Sequence, residues 1–248
     1  MKKERTVQPR RVEYLITDNV SFDISEAFRN FKASLTVSIP KKCDGKGQVI
    51  LMTSACPEDG KTTVSVNLAL MFAISKMKVL LLDADIRKGR TARYFKKRSK
   101  PGLSDYLSGQ VKLEDVIRKT EYGENFSYIA CGTHSPRPYE LLESEEMKDL
   151  LARLREEYDY IIVDTPPVIL VSDALALASE SDGAVVVCRH QHSYLNDINR
   201  SIEKLKFAKA NVLGVVVNDY NSLDKQYARS KRYRYYNYVY AATPGVDE

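Results

Sequence analysis

No apolar run in the 248-residue chain approaches the roughly 20 residues that a bilayer span requires, so no membrane-crossing segment is expected. The start, MKKERTVQPRR, is basic but is not followed by the apolar stretch of a signal peptide. The four cysteines, Cys43, Cys56, Cys131 and Cys188, are scattered and form no C-x-x-C pair. Such spacing suits reduced cytoplasmic thiols better than disulfides or a zinc site. No internal repeat is visible. The body of the chain is mildly acidic in net charge and both ends are basic. Residues 1–12 carry +4 and residues 225–240 carry +5, so with a total of +5 the remainder is −4. A nucleic-acid binder would more often hold its positive charge on the folded body, and no nucleic-acid partner is expected. Basic ends point instead to a membrane surface or an acidic partner.

Between those ends the pattern is rich. Residues 22–39 place Phe22, Ala27, Phe28, Phe31 and Leu35 at helical spacing, with Ser25 as the expected N-cap. A β-branched run, Val49 to Thr53, is followed by the helical TTVSVNLALMFAI. KVLLLDAD, FSYIAC, DYIIVDTPP, GAVVVCR and NVLGVVVN read as five further strands. EEMKDLLARLREEY and the stretch Asn196 to Lys209 read as amphipathic helices. Short apolar strands alternating with helices predict an α/β fold, its mostly parallel sheet flanked by helices on both faces. Ligands in such folds bind at the carboxyl ends of the strands, where Ser54, Asp83, Asp85, Asp164 and Asn218 all fall. We divide the chain into a basic N-terminal segment (1–21), a catalytic domain (22–224) and a tyrosine-rich tail (225–248). The tail has no consistently buried face and is expected to be disordered.

The stretch after the first strand, Ser54-Ala55-Cys56-Pro57-Glu58-Asp59-Gly60-Lys61-Thr62-Thr63, ends like a phosphate-binding loop. Its first glycine is replaced by Ala55, and two acids stand beside the expected phosphates. Backbone amides, not side chains, form such a cradle, so Ala55 is tolerable where its dihedrals are ordinary. Glu58 is the harder residue, because it brings negative charge towards the β/γ-phosphates unless it turns to solvent. Lys61 supplies a charge and Thr62 a hydroxyl for Mg²⁺. Two more strands end in acids, at Asp83-x-Asp85-x-Arg87 and at Asp164-x-Pro-Pro. Mg²⁺ takes few protein oxygens and keeps several waters, and Thr62 with Asp164 would supply them. The expected ligand is therefore ATP·Mg²⁺. Arg87, Lys88 and Arg90 are read either as phosphate-steadying groups or as a surface cluster.

ACPEDGKTT, LLLDADIR and IIVDTPP together resemble the Walker A, A′ and B motifs of the bacterial tyrosine kinases of capsule and exopolysaccharide synthesis. More broadly they resemble the deviant P-loop ATPases of the MinD/ParA group. The resemblance runs from about Ser25 to Asn218, takes in GLSDYLSG and PYELLES, and extends to the tail. It implies a tyrosine autokinase with Lys61, Asp83 and Asp85 catalytic, Thr62, Asp85 and Asp164 at the metal, and residues 55–63 (Ala55, Cys56, Pro57, Glu58, Asp59, Gly60, Lys61, Thr62, Thr63) around the nucleotide. It also implies that Asn218 contacts the adenine. The acceptors would be Tyr227, Tyr233, Tyr235, Tyr236, Tyr238 and Tyr240. Which of Asp83 and Asp85 takes the tyrosine proton stays open on the sequence.

The family usually has glycine where Glu58 stands. Its Glu-x-x-Arg-x-x-Arg subunit contact is matched by Glu26 and Arg29, with Lys32 in place of the last arginine. The resemblance further implies a homo-oligomeric ring, an activating membrane adaptor (a polysaccharide co-polymerase), a cognate tyrosine phosphatase, and a cytoplasmic position at the inner face of the plasma membrane through the adaptor. The competing reading is a MinD/ParA-type ATPase switch acting by hydrolysis at a membrane or on DNA. Those proteins typically carry a second lysine early in the loop, and here there is none between Ala55 and Gly60.

Overall fold

The structure, a computed structural model, describes residues 15–16, 20–39 and 45–220. The six tail tyrosines, Cys43 and both basic ends lie outside the described residues. Seven strands form one sheet in the order β3-β4-β2-β5-β1-β6-β7. They are β1 Gln48–Ser54, β2 Val79–Asp83, β3 Arg118–Thr120, β4 Gly123–Ile129, β5 Tyr160–Asp164, β6 Gly183–Arg189 and β7 Val212–Asn218. Every pairing is parallel except β3 with β4.

The central strands read as unbroken apolar runs because both of their faces are covered. In β1, Val49 and Leu51 enter one core while Ile50 and Met52 enter the other. β2 and β5 split in the same way, Leu80, Leu82, Ile161 and Val163 against Val79, Leu81, Tyr160 and Ile162. The first core is closed by α7 (Glu145–Glu157) through Leu150 and Leu154, and by α9 (Leu195–Phe207) through Leu205. α7 is capped by Ser144, whose side chain accepts from the Met147 amide. Short helices α4 (Leu103–Leu107), α5 (Leu113–Val116), α6 (Pro138–Glu143) and α8 (Asp173–Ala176) complete that layer. The second core is filled by α2 (Lys61–Ile74), with α3 (Thr91–Tyr94) at its side. Eleven of the fourteen α2 residues are buried, because the helix lies between the sheet and α1 (Phe22–Ser38).

Three details differ from the sequence reading. α1 begins at Phe22 behind Ser21, a turn before the expected cap, so Ser25 lies inside the helix; its amide donates to the Ser21 carbonyl. The sheet gains the antiparallel edge strand β3, three residues long and polar, too short to show periodicity. Leu15 and Ile16, assigned to the N-terminal segment, are buried, and the Ile16 amide donates to Asn67 Oδ1 of α2 at 2.8 Å. The folded unit therefore reaches back beyond α1.

Candidate functional site: a phosphate-binding loop facing three acids

β1 ends at Ser54 and α2 starts at Lys61, so residues 55–60 cross the carboxyl edge of the sheet. Gly60 sits at φ +82, and a Cβ there would meet Asn218 Nδ2 at 1.9 Å. Only glycine fits both constraints. The first helical bond of α2 runs from Val64 N to Gly60 O, which leaves the amides of Lys61, Thr62 and Thr63 without helical acceptors. This is the anion-binding end of a helix. Ala55 is buried and adopts no left-handed dihedral, so losing the glycine there costs nothing in backbone strain. Glu58 does adopt one, at φ +68, and is exposed. The position where the resembling family has glycine is thus a left-handed turn, and the glutamate side chain leaves the core of the site.

Asp59, the other acid of the loop, turns inward. Its carboxylate is buried and accepts from the Cys56 amide at 2.7 Å and from Ser193 Oγ at 2.6 Å. Asn218 Nδ2 donates to the Asp59 carbonyl at 2.9 Å, and His192 Nε2 lies 3.1 Å from the Pro57 carbonyl. The loop is therefore clamped by residues from the ends of β6 and β7. The Cys56 amide is spent inside it and is not free for phosphate. Asn218, expected at an adenine, is engaged here in holding the loop.

Asp164, at the tip of β5, is the hub of the site. Lys61 Nζ donates to its Oδ1 at 2.6 Å, Ser65 Oγ to the same oxygen at 3.0 Å, and Thr62 Oγ1 to its Oδ2 at 2.7 Å. β2 pairs with β5 so that Asp83 stands beside Asp164 in register. Asp83 is buried; its Oδ2 accepts from the Thr91 amide at 3.0 Å and its Oδ1 from the Asp85 amide at 3.2 Å. Burial first, then the neighbouring Asp164 charge, pushes its carboxyl up to about 7. Asp85 is half-buried, and burial raises it too, against the opposing pull of Lys61. Thr63 Oγ1 and Tyr94 OH are 2.6 Å apart, tying α2 to α3.

The donor set fits Mg²⁺. The Thr62 hydroxyl and an Asp164 carboxylate oxygen lie side by side, and a cation beside them would offset the negative charge that Asp164 presents to Asp83. Among the described residues no group of three His, Cys, Asp or Glu is arranged to hold a metal ion by itself.

Some candidates do other work. Arg87 is held in a two-pronged ion pair by the buried Asp173, Nε to Oδ2 at 2.8 Å and Nη2 to Oδ1 at 3.0 Å. It is a strut between the β2 end and α8, and does not point phosphate-ward as a free cation. Cys131 and Cys188 are buried, and burial pushes the Cys131 thiol up to about 12, which leaves it inert. On α1, Arg29 pairs with Glu26 and Lys32 donates to Ser75. Ser65, Asp173, Ser193 and Tyr94 were absent from the sequence reading. Ser65 alone had a local signal, lying one helical turn after Lys61 on the same face.

Residues 47–214 match the family described as the AAA domain. The tyrosine-protein kinase Etk of Escherichia coli is 34% identical over 209 residues, which is 84% of this chain and 28% of that relative. The chain thus spans about a third or less of the length of the curated relatives it matches. The solved kinase domain of that enzyme superposes with a TM-score of 0.78 at 33% identity, covering 85% of this chain and 81% of the other. The septum site-determining protein MinD of Pyrococcus horikoshii, solved with Mg-ADP, gives a TM-score of 0.60 at 26% identity, over 71% of each chain. A likeness of one residue in three over four-fifths of a solved kinase domain settles the family: this chain belongs to the bacterial tyrosine kinases, on the P-loop fold shared with MinD.

Proposed function

We propose that the chain is an ATP-dependent protein-tyrosine autokinase that phosphorylates its own C-terminal tyrosines in trans and so regulates capsular or exopolysaccharide synthesis. The observation that carries this reading is the acid pair. Asp83 is buried in register beside Asp164, and the half-buried Asp85 follows two residues on at the carboxyl edge of the sheet. A hydroxyl acceptor needs a carboxylate base within reach of its proton.

In the proposed cycle Lys61 exchanges Asp164 for the β/γ-phosphates, with the α2 amides around the same oxygens. Thr62 and Asp164 would hold Mg²⁺, with Asp85 as a further oxygen donor near it. The ion, when bound, neutralises charge building on the transferring phosphoryl group. Asp83 takes the proton as the tyrosine oxygen forms its bond to the γ-phosphorus and the bond to ADP breaks. Asn218 would reach the adenine only by sharing or releasing Asp59. Glu26, Arg29 and Lys32 on α1 are proposed as the subunit contact of a ring. A membrane adaptor of the polysaccharide co-polymerase kind and a tyrosine phosphatase complete the proposal, which places the protein at the inner face of the plasma membrane. Among the described residues no helix is long and apolar enough to cross a membrane.

The likeness to MinD favours a second reading, a hydrolytic ATPase switch. The loop's lack of a lysine before Gly60 speaks against it. A mass-spectrometric map of the purified chain with ATP·Mg²⁺ separates the two. We expect phosphate on residues 227–240 of the wild type and none on Lys61→Met. ATP consumption with unmodified tyrosines would favour the switch.

A further inference from the structure

Between Asp85 and Asp105 the chain contains no acid, yet seven lysines and arginines lie between Lys88 and Lys100. All seven are exposed, among them Arg93, Lys97 and Arg98. Arg87, just before them, differs, since Asp173 neutralises it. The segment that carries them is rigidly mounted. Phe95 is buried against Tyr128 at a centroid distance of 4.3 Å and meets Phe126 edge-on at 5.7 Å. Arg118 of β3 donates to the carbonyls of Arg98 and Pro101, and the Gly132 amide donates to the Ser99 carbonyl. These anchors put the cations at the carboxyl edge of the sheet, on the β2–β4–β3 side of the nucleotide loop. Tyr94 and Thr91 of the same segment touch Thr63 and Asp83.

We propose that this basic edge docks directly on an anionic lipid bilayer and turns the mouth of the nucleotide site towards the membrane surface. The shape of the patch favours a headgroup layer over a peptide. None of the seven cations lines either the cavity of about 900 Å³ beside Lys78 and Glu157 or that of about 460 Å³ beside Arg87 and Tyr139. No large exposed apolar side chain lies between residues 86 and 104 to insert into lipid or seat a partner's anchor. The contact is therefore purely electrostatic, and clustered Lys/Arg facing acidic headgroups is the chemistry that fits it. It does not depend on what the site does with ATP.

The test is vesicle co-sedimentation of the full chain, with phosphatidylcholine vesicles containing phosphatidylglycerol against phosphatidylcholine alone. The wild type should bind only the anionic vesicles and release them as salt approaches about 1 M, where the screening length falls to about 3 Å. The triple change Arg93→Glu, Lys97→Glu, Arg98→Glu should lower partitioning at least tenfold while ATP turnover in solution stays as in the wild type. The milder Arg93→Gln, Lys97→Gln, Arg98→Gln set should give an intermediate loss, which covers any folding fault in the reversal. Because both variants keep the basic termini, undiminished binding would assign the lipid contact to those ends and overturn the proposal. Equal binding to neutral vesicles, or displacement by duplex DNA bound more tightly than lipid, would overturn it as well.

Discussion

At Glu58 the chain places a charged residue in a left-handed turn that glycine adopts freely, at a cost of about 1 kcal/mol. Glu58→Gly should raise the thermal midpoint by about 2–4 °C, the shift expected of that energy in a domain of this size. It should also tighten ATP binding or speed tyrosine phosphorylation by removing a negative charge near the phosphates. A calorimetric titration with markedly weaker ATP binding would instead make Glu58 part of the site. Asp83 offers a second test, in which the sign matters. Its carboxyl titrates near 3.8 when unfolded and about 7 in the fold, so between those values the folded state holds the extra proton. Stability from this group is therefore present at low pH and lost as pH rises from about 4 to about 7. Asp83→Asn removes that titration. Without nucleotide or metal, the variant's denaturation midpoint should gain on the wild type's from pH 5 to pH 8, while tyrosine phosphorylation disappears. A constant gap between the two proteins would mean that Asp83 is ionised throughout.

Single elements divide into those the sequence announces and those it conceals. β1, β2, β5 and β6 are legible because burial on both faces makes them continuous apolar runs. α7 is legible because one stripe, Met147, Leu150, Leu151 and Leu154, is buried. β3 and the four- or five-residue helices α3, α4, α5 and α8 are not, since periodicity needs more than one turn to register. The site divides likewise. Lys61, Thr62 and Asp164 follow from motifs whose spacing reflects local geometry. The Asp59 clamp spans 134 residues to Ser193 and 159 to Asn218, and no local pattern encodes such contacts. α1 is the element with a function still to be measured. Its Glu26–Arg29 pair is an exposed i,i+3 contact worth only a few tenths of a kcal/mol to the fold. Glu26→Ala with Arg29→Ala should leave thermal stability nearly unchanged yet shift an oligomer towards monomer and lower tail phosphorylation. Light scattering that shows one particle size for both proteins would reduce the pair to a solvated helix face.

For the whole molecule, the phosphate-loop site lies in the described domain, and the proposed acceptors lie in residues 225–240, which start at +5. Each phosphotyrosine adds about −1.5 to −2 charge, so three would reverse the sign of that segment. On the proposed function, an unmodified basic tail would be attracted to the acids at a second copy's phosphate-loop site, and a filled one would be repelled. The proposed function therefore predicts transfer between subunits, with release as the tail fills. The most direct measurement mixes two proteins with ATP·Mg²⁺, a full-length Lys61→Met chain and a wild-type chain truncated after Asp224. The first lacks the site and the second lacks the tyrosines, so neither can modify itself there. Phosphotyrosine on the tail of the full-length Lys61→Met chain is the predicted result. An unmodified tail, with the truncated chain still consuming ATP, would contradict tyrosine transfer and make this a hydrolytic switch.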